Sequence, residues 1–389
     1  MPEVEITTVH HVIACAYPWN NVAIPLSREA HGSQHGEMRN GRWYRLPQNT
    51  RAYGLKVAGW CNEYNIRYLS GFWSGDPRRP CLEHFESSLG VLSPQELGQL
   101  RLIYMFTLQA SVDRIKEAVT SRAAALLGPT YARLMDSRGV SRIPIMFWGE
   151  ESATNSVAFQ RLLNELRAFF KERGGELFVI TTHHILQSQD DRLLRSVDAV
   201  YRHECYHNID REGHNPAPLN TAQSVAPTRQ RWLANRQQLQ GKTQSATGLP
   251  VYYFPGTMPS FWRPSSPERG KVVAQTRDQV RSMFVALRDD ATTVCVRSGT
   301  AGLEIHKWAV LTSWNEWVEN STIEPCFVRS NRTPEEIASY GYDYGTDHLA
   351  QIRDIFKTTR RVLRSDEAEK LSALSGALRH DRGVADVVG

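Results

Sequence analysis

Two carboxylates stand three positions apart near the C-terminal end of the chain, in the run AVLTSWNEWVENSTIEP over residues 309–325. The run begins as an apolar, β-type stretch and then, without a turn residue, presents Glu316 and Glu319 beside an amide and two indoles. A pair of carboxylates separated by roughly 5–9 Å can share the acid and base steps of glycosidic bond cleavage. Strands that only fill a core do not usually end in this way, so we interpret this run as part of a site.

The elements that position these residues are indicated by the hydrophobic pattern. Amphipathic stretches such as residues 111–127, 157–175 and 276–290 alternate with short apolar or β-branched runs. Eight such runs are candidates for strands, at residues 10–17, 66–73, 101–106, 142–148, 176–184, 198–206, 250–254 and 308–314. This alternation predicts an α/β fold with a parallel sheet, and eight repeats predict a (β/α)8 TIM barrel. A doubly wound sheet is the alternative.

Aromatic and polar side chains recur after the predicted strands. In a TIM barrel the C-terminal strand ends form the site, where aromatic rings can pack on sugar rings and polar groups can bind hydroxyls. Carboxylates at these ends, such as Glu316 and Glu319, could supply acid and base. The candidates for substrate binding are Tyr17, Trp19, Trp73, Trp148, Glu150, His183, His203, Glu204, Tyr206, Trp262, Asn315 and Trp317.

Composition and charge narrow the class of protein. The chain has 389 residues, 41% hydrophobic and 22% charged, and its net charge of +5 is spread along the chain, so no nucleic-acid partner is expected. We expect no membrane span and no signal peptide, and six scattered cysteines fit reduced thiols, which together predict a cytoplasmic protein. We expect one barrel with extended loops over residues 1–364 and a C-terminal tail over residues 365–389. The sequence leaves the oligomeric state open.

Several of these runs occur together in a known family. The runs YPW, YFPGTMPSFW, TSWNEWVENSTIEP and YGTDHLAQIRDIF, taken in order over roughly residues 10–360, resemble the landmarks of glycoside hydrolase family 99 and the related WbsX-like proteins of bacterial polysaccharide gene clusters. The resemblance implies a (β/α)8 barrel that cleaves internal α-mannosidic bonds with retention. It also implies an oligosaccharide or polysaccharide substrate and neither a metal nor another cofactor.

The same resemblance implies separate roles for the two carboxylates. Glu316 would deprotonate the 2-hydroxyl of the substrate, which then attacks the anomeric carbon, and Glu319 would protonate the departing glycosidic oxygen. The chain departs from the family pattern at Asn320, where glycine usually follows the second glutamate, and its third strand lacks the glutamate that relatives often carry. These departures bear on the choice of sugar more than on the fold.

Two other classes of function are compatible with the sequence. The run HECYH over residues 203–207 matches the H-E-x-x-H signature of zinc peptidases, in which two histidines one helical turn apart hold the metal. That signature requires a helix, whereas HECYH follows a β-type run. A barrel that binds glycans, or that serves polysaccharide biosynthesis, without hydrolysis would use the same aromatic and acidic residues.

Overall fold

A computed structural model provides the fold of the chain. It describes residues 4–16, 36–39, 42–45, 49–149, 156–182, 185–186, 191–201, 221–259, 276–298, 302–315, 322–326, 328, 333–334 and 342–363. No helix in these ranges combines the length and the apolar character that a membrane crossing requires.

The described strands fall into barrel strands and accessory strands. In chain order they are β1 Val4–Ala16, β2 Gly36–Arg39, β3 Arg42–Arg45, β4 Tyr68–Trp73, β5 Arg101–Thr107, β6 Leu134–Met135, β7 Ser141–Trp148, β8 Leu177–Thr182, β9 Ala199–Tyr201, β10 Tyr252–Phe254, β11 Gly256–Thr257, β12 Thr292–Ser298, β13 Gly302–Thr312 and β14 Thr359–Leu363. Each of the eight predicted strands coincides with one of these elements. The prediction of a (β/α)8 barrel is therefore confirmed.

The parallel sheet curves into a nearly closed barrel. Its strands follow the order β10, β9, β8, β7, β5, β4, β1, β13 and β11. The seventh barrel strand consists of β10 and β11, which are interrupted at Pro255: β10 pairs with β9, whereas β11 pairs with β13. The backbone N–H of Val310 donates to the carbonyl of Pro255 over 3.0 Å, which helps to close the barrel. Proline lacks a backbone N–H and cannot donate a hydrogen bond to a neighbouring strand, so the seventh strand is interrupted at Pro255.

Helices cover the outside of this sheet. They are α1 Arg51–Glu63, α2 Cys81–Phe85, α3 Pro94–Leu97, α4 Val112–Thr120, α5 Ala123–Leu127, α6 Ser156–Lys171, α7 Asp191–Leu194, α8 Thr221–Leu239, α9 Arg277–Asp289 and α10 Asp347–Ile355, and a π-helical turn spans Glu86–Gly90. Local sequence sets several helix ends. Thr276 and Gln279 form a capping box at the start of α9, and Gly174, with φ of +77°, follows the end of α6.

Alternate residues of each barrel strand pack into two different apolar layers, one inside the barrel and one between the sheet and the helices. In β1, Ile13 and Cys15 belong to the cluster inside the barrel, whereas Val12 and Ala14 belong to the layer between the sheet and the helices. Successive strand residues point to opposite faces, and both faces of this sheet are buried. This double burial explains why the predicted strands read as continuous apolar runs.

Two antiparallel strands extend the sheet at the N-terminal end of the barrel. β12 pairs with β13, and β14 pairs with the first half of β1. As a result β1 and β13 begin at Val4 and Gly302, earlier than the starts predicted at residues 10 and 308. Most of the added residues are partly exposed, whereas Ile6, Val9 and Ile305 among them are buried. They therefore lack the apolar run that marks the barrel strands.

Two glycines of α1 give a matched test of the packing between this helix and the π-helical turn. A Cβ at Gly54 would lie 2.1 Å from the Ser88 carbonyl oxygen in the π-helical turn, whereas a Cβ at Gly59 would meet nothing within 4 Å. We expect Gly54→Ala to lower the free energy of unfolding by about 1–3 kcal/mol through overpacking. We expect Gly59→Ala to raise it by about 0.5–1 kcal/mol through helix propensity. Urea unfolding measures both, and a stabilising Gly54→Ala would contradict this packing.

Candidate functional site

The C-terminal ends of the parallel strands meet at one mouth of the barrel. Thr107 at the end of β5 pairs in register with Trp148 at the end of β7. The hydroxyl of Thr182, at the end of β8, donates to the carbonyl of Gly149 over 3.0 Å and joins β8 to the residues that follow β7. The C-terminal ends of β5, β7 and β8 are therefore held near one another, as the barrel prediction requires.

Trp148 lies at this mouth on the inner side of the barrel. Its half-buried indole packs against the interior cluster and meets the ring of Phe72 edge to face, with 5.5 Å between centroids. An aromatic ring at the rim of the barrel interior can pack on a sugar ring. Its position is compatible with the predicted substrate contact.

Trp73 lies on the other side of the sheet. It belongs to the layer under the helices, is 9% exposed, and packs at 5.9 Å from Phe106. The guanidinium of Arg114 lies 6.0 Å from its ring centroid. These contacts favour a role in packing, and binding of substrate by Trp73 stays a prediction.

Asn315 is buried behind the strand end. Its Nδ2 lies 3.5 Å from the hydroxyl of Tyr53 on α1, and the side chain is 3% exposed. With Trp314 and Ser88 it lines a cavity of about 10 Å³, a volume at the lower limit for one water molecule. This cavity cannot hold a sugar ring, so the geometry links Asn315 to support of the strand end, and its predicted sugar contact stays untested.

The other predicted site residues fall outside the described ranges: Tyr17, Trp19, Glu150, His183, His203, Glu204, Tyr206, Trp262, Glu316, Trp317 and Glu319. In the sequence each still follows the C-terminal end of a barrel strand. Tyr17 comes directly after β1 and His183 directly after β8. Their site roles remain predictions.

The residues on either side of Glu316 and Glu319 are paired with one another. We call residues 313–315 the first stem and residues 322–324 the second stem. The N–H of Ile323 donates to the Ser313 carbonyl over 3.0 Å, and the N–H of Glu324 donates to the Trp314 carbonyl over 2.8 Å. The Trp314 N–H in turn donates to the Cys15 carbonyl of β1 over 2.7 Å. Both stems are thus fixed to the C-terminal end of the barrel.

Glu324 is a buried residue to which the sequence analysis gave no role. Its residue exposure is 0%, and its backbone carbonyl accepts a hydrogen bond of 2.9 Å from the hydroxyl of Tyr344. The motif IEP contains Glu324, and Tyr344 lies in the later YGTDHLAQIRDIF run. Both motifs are part of the family resemblance, but the hydrogen bond between Tyr344 and Glu324 is visible only in the structure.

The opposite end of the barrel contains a pair of histidines. Nε2 of His11 lies 2.8 Å from Nδ1 of His306, and the two rings stack with 5.1 Å between centroids. Burial, followed by the neighbouring His306, holds the pKa of His11 well below its usual value. Burial and then Lys307 lower the pKa of His10 to about 4. These histidines are neutral at pH 7 in the folded chain.

We expect acid to destabilise the protein through these histidines. Above pH 6.5 both His10 and His11 are neutral in the folded and unfolded chain, so they add no pH dependence. Below pH 6.5 the unfolded chain binds protons that the folded chain does not, and stability falls as the pH drops towards 4. From pH 7 to pH 5.5 each histidine should lower the free energy of unfolding by about 1 kcal/mol.

Urea unfolding at the two pH values measures this loss. His10→Gln should show a smaller difference between pH 7 and pH 5.5 than the parent, because one of the titrating groups is removed. Equal stability of the parent at both pH values would contradict the assignment.

The described residues give no support to a metal site. Within those ranges no group of three or more His, Cys, Asp or Glu side chains is arranged to hold a metal ion. The HECYH run lies outside them, so the zinc peptidase alternative is not tested by the structure.

Comparison with known proteins gives a fold likeness without a sequence match. No family model matches the chain, and neither does any curated protein. A solved structure described as a glycoside hydrolase-like protein is 14% identical with a TM-score of 0.62, over 92% of this chain and 97% of its own. A GH99 endo-alpha-mannosidase from Bacteroides thetaiotaomicron, in complex with bis-tris-propane, is 15% identical with a TM-score of 0.53, over 94% of this chain and 98% of its own.

A second structure of that mannosidase is 14% identical with the same TM-score of 0.53, over 93% of this chain and 98% of its own. The likeness confirms the resemblance at the level of fold. The chain shares the barrel fold of these proteins.

Proposed function

We propose that the chain is a glycosidase that cleaves an α-linked, mannoside-like glycan with Glu316 and Glu319. The observation that carries the proposal is the pair of stems at the end of β13. They attach the segment that contains both carboxylates to the C-terminal mouth of a glycoside hydrolase-like barrel. This is the end of the barrel at which enzymes of this fold carry out their chemistry.

The proposed chemistry divides proton transfer between the two carboxylates. Glu316 removes the proton of the substrate 2-hydroxyl, whose oxygen attacks the anomeric carbon while the glycosidic bond breaks. Glu319 gives its proton to the departing oxygen. A water molecule then attacks the anomeric carbon, with Glu319 now accepting a proton and Glu316 returning one to the 2-oxygen, so that the configuration is retained.

The two roles require different environments. Glu319 must hold a proton before the bond breaks, whereas Glu316 must be ionised. Two carboxylates close together satisfy this condition when one is desolvated and the charge of the other raises its pKa. The aromatic residues that follow the other strands, with Trp148 as the described example, would hold the sugar rings.

The test is a product analysis of the purified protein. We would incubate it with bacterial and yeast polysaccharides, α-linked manno-oligosaccharides and aryl α-glycosides. We expect new reducing ends from an α-mannoside-like substrate, and NMR of the first product should show the anomeric configuration of the substrate. The double variant Glu316→Gln, Glu319→Gln is the control for contaminating enzymes.

Two outcomes would reject the proposal in favour of the alternatives. Saturable glycan binding without any new reducing ends would indicate a binding barrel. Stoichiometric zinc together with peptide cleavage that a chelator abolishes would indicate a peptidase.

A further inference from the structure

The hydroxyl of Thr322 connects the two stems. Its Oγ1 donates to the Trp314 carbonyl over 2.7 Å and accepts from the Glu324 N–H over 3.1 Å. Thr322 is 1% exposed. The Trp314 carbonyl also accepts from the Glu324 N–H. These three hydrogen bonds join the two stems at a buried position. In the sequence the stems directly flank the segment that contains the two carboxylates.

The hydroxyl of Tyr344 also supports the second stem. It donates to the Glu324 carbonyl over 2.9 Å, and the ring is stacked on His348 with 3.8 Å between centroids. Burial raises the pKa of Tyr344 well above its usual value. The hydroxyl therefore keeps its proton, and remains a hydrogen-bond donor, at neutral pH. A phenol this deeply buried has little freedom to move.

The segment around Tyr344 is itself held by contacts to Cys326 and to helix α9. The Cys326 N–H donates to the Gly345 carbonyl over 3.0 Å, and the Gly345 N–H donates to the Cys326 Sγ over 3.2 Å. Asp347, at the start of α10, accepts a forked pair of hydrogen bonds from Arg277 of α9. A chain of direct contacts thus runs from α9 through α10 to the second stem.

We propose that Thr322 and Tyr344 are positioning residues that set the geometry of Glu316 and Glu319 without touching the substrate. The inference rests on the proposed function. A carboxylate pair must be held to within a fraction of an ångström for proton transfer to be efficient. The stems supply that constraint only if they are themselves held in place. The Thr322 hydroxyl bridges the two stems, and the Tyr344 hydroxyl holds the second stem.

The test compares two tyrosines of one segment. Tyr344→Phe removes the hydroxyl that reaches the second stem and keeps the ring that stacks on His348. Tyr342→Phe is the control, because it removes a tyrosine hydroxyl of the same segment that donates to Asp347 over 3.0 Å and not to the second stem. Thr322→Val is a second variant that keeps the side-chain shape and removes the other hydroxyl.

Hydrogen exchange gives a readout that does not depend on activity. In Tyr344→Phe and Thr322→Val we expect the amides of Ile323 and Glu324 to lose protection by roughly threefold to tenfold, the effect of one typical hydrogen bond. Tyr342→Phe should leave these amides unchanged. Unchanged protection in the first two variants, or an equal loss in Tyr342→Phe, would overturn the inference.

Kinetics distinguish positioning from simple destabilisation. On a glycan that the parent cleaves, both stem variants should lower kcat by roughly threefold to tenfold with little change in KM, and should shift a limb of the pH profile. A pH profile identical to that of the parent would overturn the positioning role. If protection falls in the variants but the parent cleaves no glycan, the proposed function is rejected while the constraint on the stems stands.

Discussion

Glu319→Gln should lower turnover on an unactivated glycan by about 10²–10⁴-fold, because glutamine keeps the shape of the side chain but cannot protonate the departing oxygen. The loss should shrink on an aryl glycoside, whose phenolate leaves with little protonation. The measurement is kcat for the parent and the variant on one natural glycan and on a series of aryl glycosides with leaving groups of decreasing pKa. In the variant, log kcat should depend more steeply on leaving-group pKa than in the parent.

Glu316→Gln is the matched change and should behave differently. It removes the base that activates the 2-hydroxyl, so turnover should fall by a similar factor of about 10²–10⁴ with every leaving group. Both variants should still fold and still bind the glycan, since neither loses its size or its hydrogen-bonding capacity. Full activity of both variants on every substrate would mean that the motif is structural.

Asp136→Ala should cause the largest loss of stability. Asp136 is fully buried and accepts hydrogen bonds from the backbone N–H groups of Arg138 and Val140. It also accepts a hydrogen bond of 2.6 Å from Nε of Arg142, whose side chain is only 5% exposed. Removing the carboxylate leaves a buried guanidinium whose remaining ion pair within the described residues is with the more exposed Glu176. We expect the free energy of unfolding to fall by about 3–5 kcal/mol.

An exposed ion pair provides the control for that change. Arg161 pairs with Glu165 across one turn of α6, and the Arg161 side chain is 82% exposed. Arg161→Ala should therefore lower the free energy of unfolding far less than Asp136→Ala does, because solvent screens an exposed pair. Urea unfolding measures both variants. A loss for Asp136→Ala as small as that for Arg161→Ala would show that the buried pair contributes little.

Asp136→Ala should leave activity per folded molecule unchanged. Asp136 precedes the start of β7, at the end of the barrel opposite the mouth. In TIM barrels that end contributes to stability and the C-terminal end carries the chemistry. Activity measured well below the unfolding temperature, and corrected for the folded fraction, tests this separation.

The sequence by itself determined the fold class and the positions of the barrel strands. Each barrel strand is buried on both faces, so it appears as an apolar run that short-range pattern can identify, as in 101–106 and 142–148. The carboxylates and aromatic residues that follow these runs could likewise be recognised by type and order. Both kinds of information are local in the chain.

Only the tertiary structure decided what depends on contacts between distant segments. The accessory strands β12 and β14 form because β13 and β1 offer free edges beside them. Trp73 and Trp148 both end barrel strands, but the strand alternation turns one towards the helices and the other towards the interior. The contact of Tyr344 with Glu324 joins residues from different parts of the chain. The hydrophobic pattern indicates which residues are buried. Contacts between residues far apart in sequence depend on packing and on hydrogen bonds to buried polar groups, and both form only when the chain is folded.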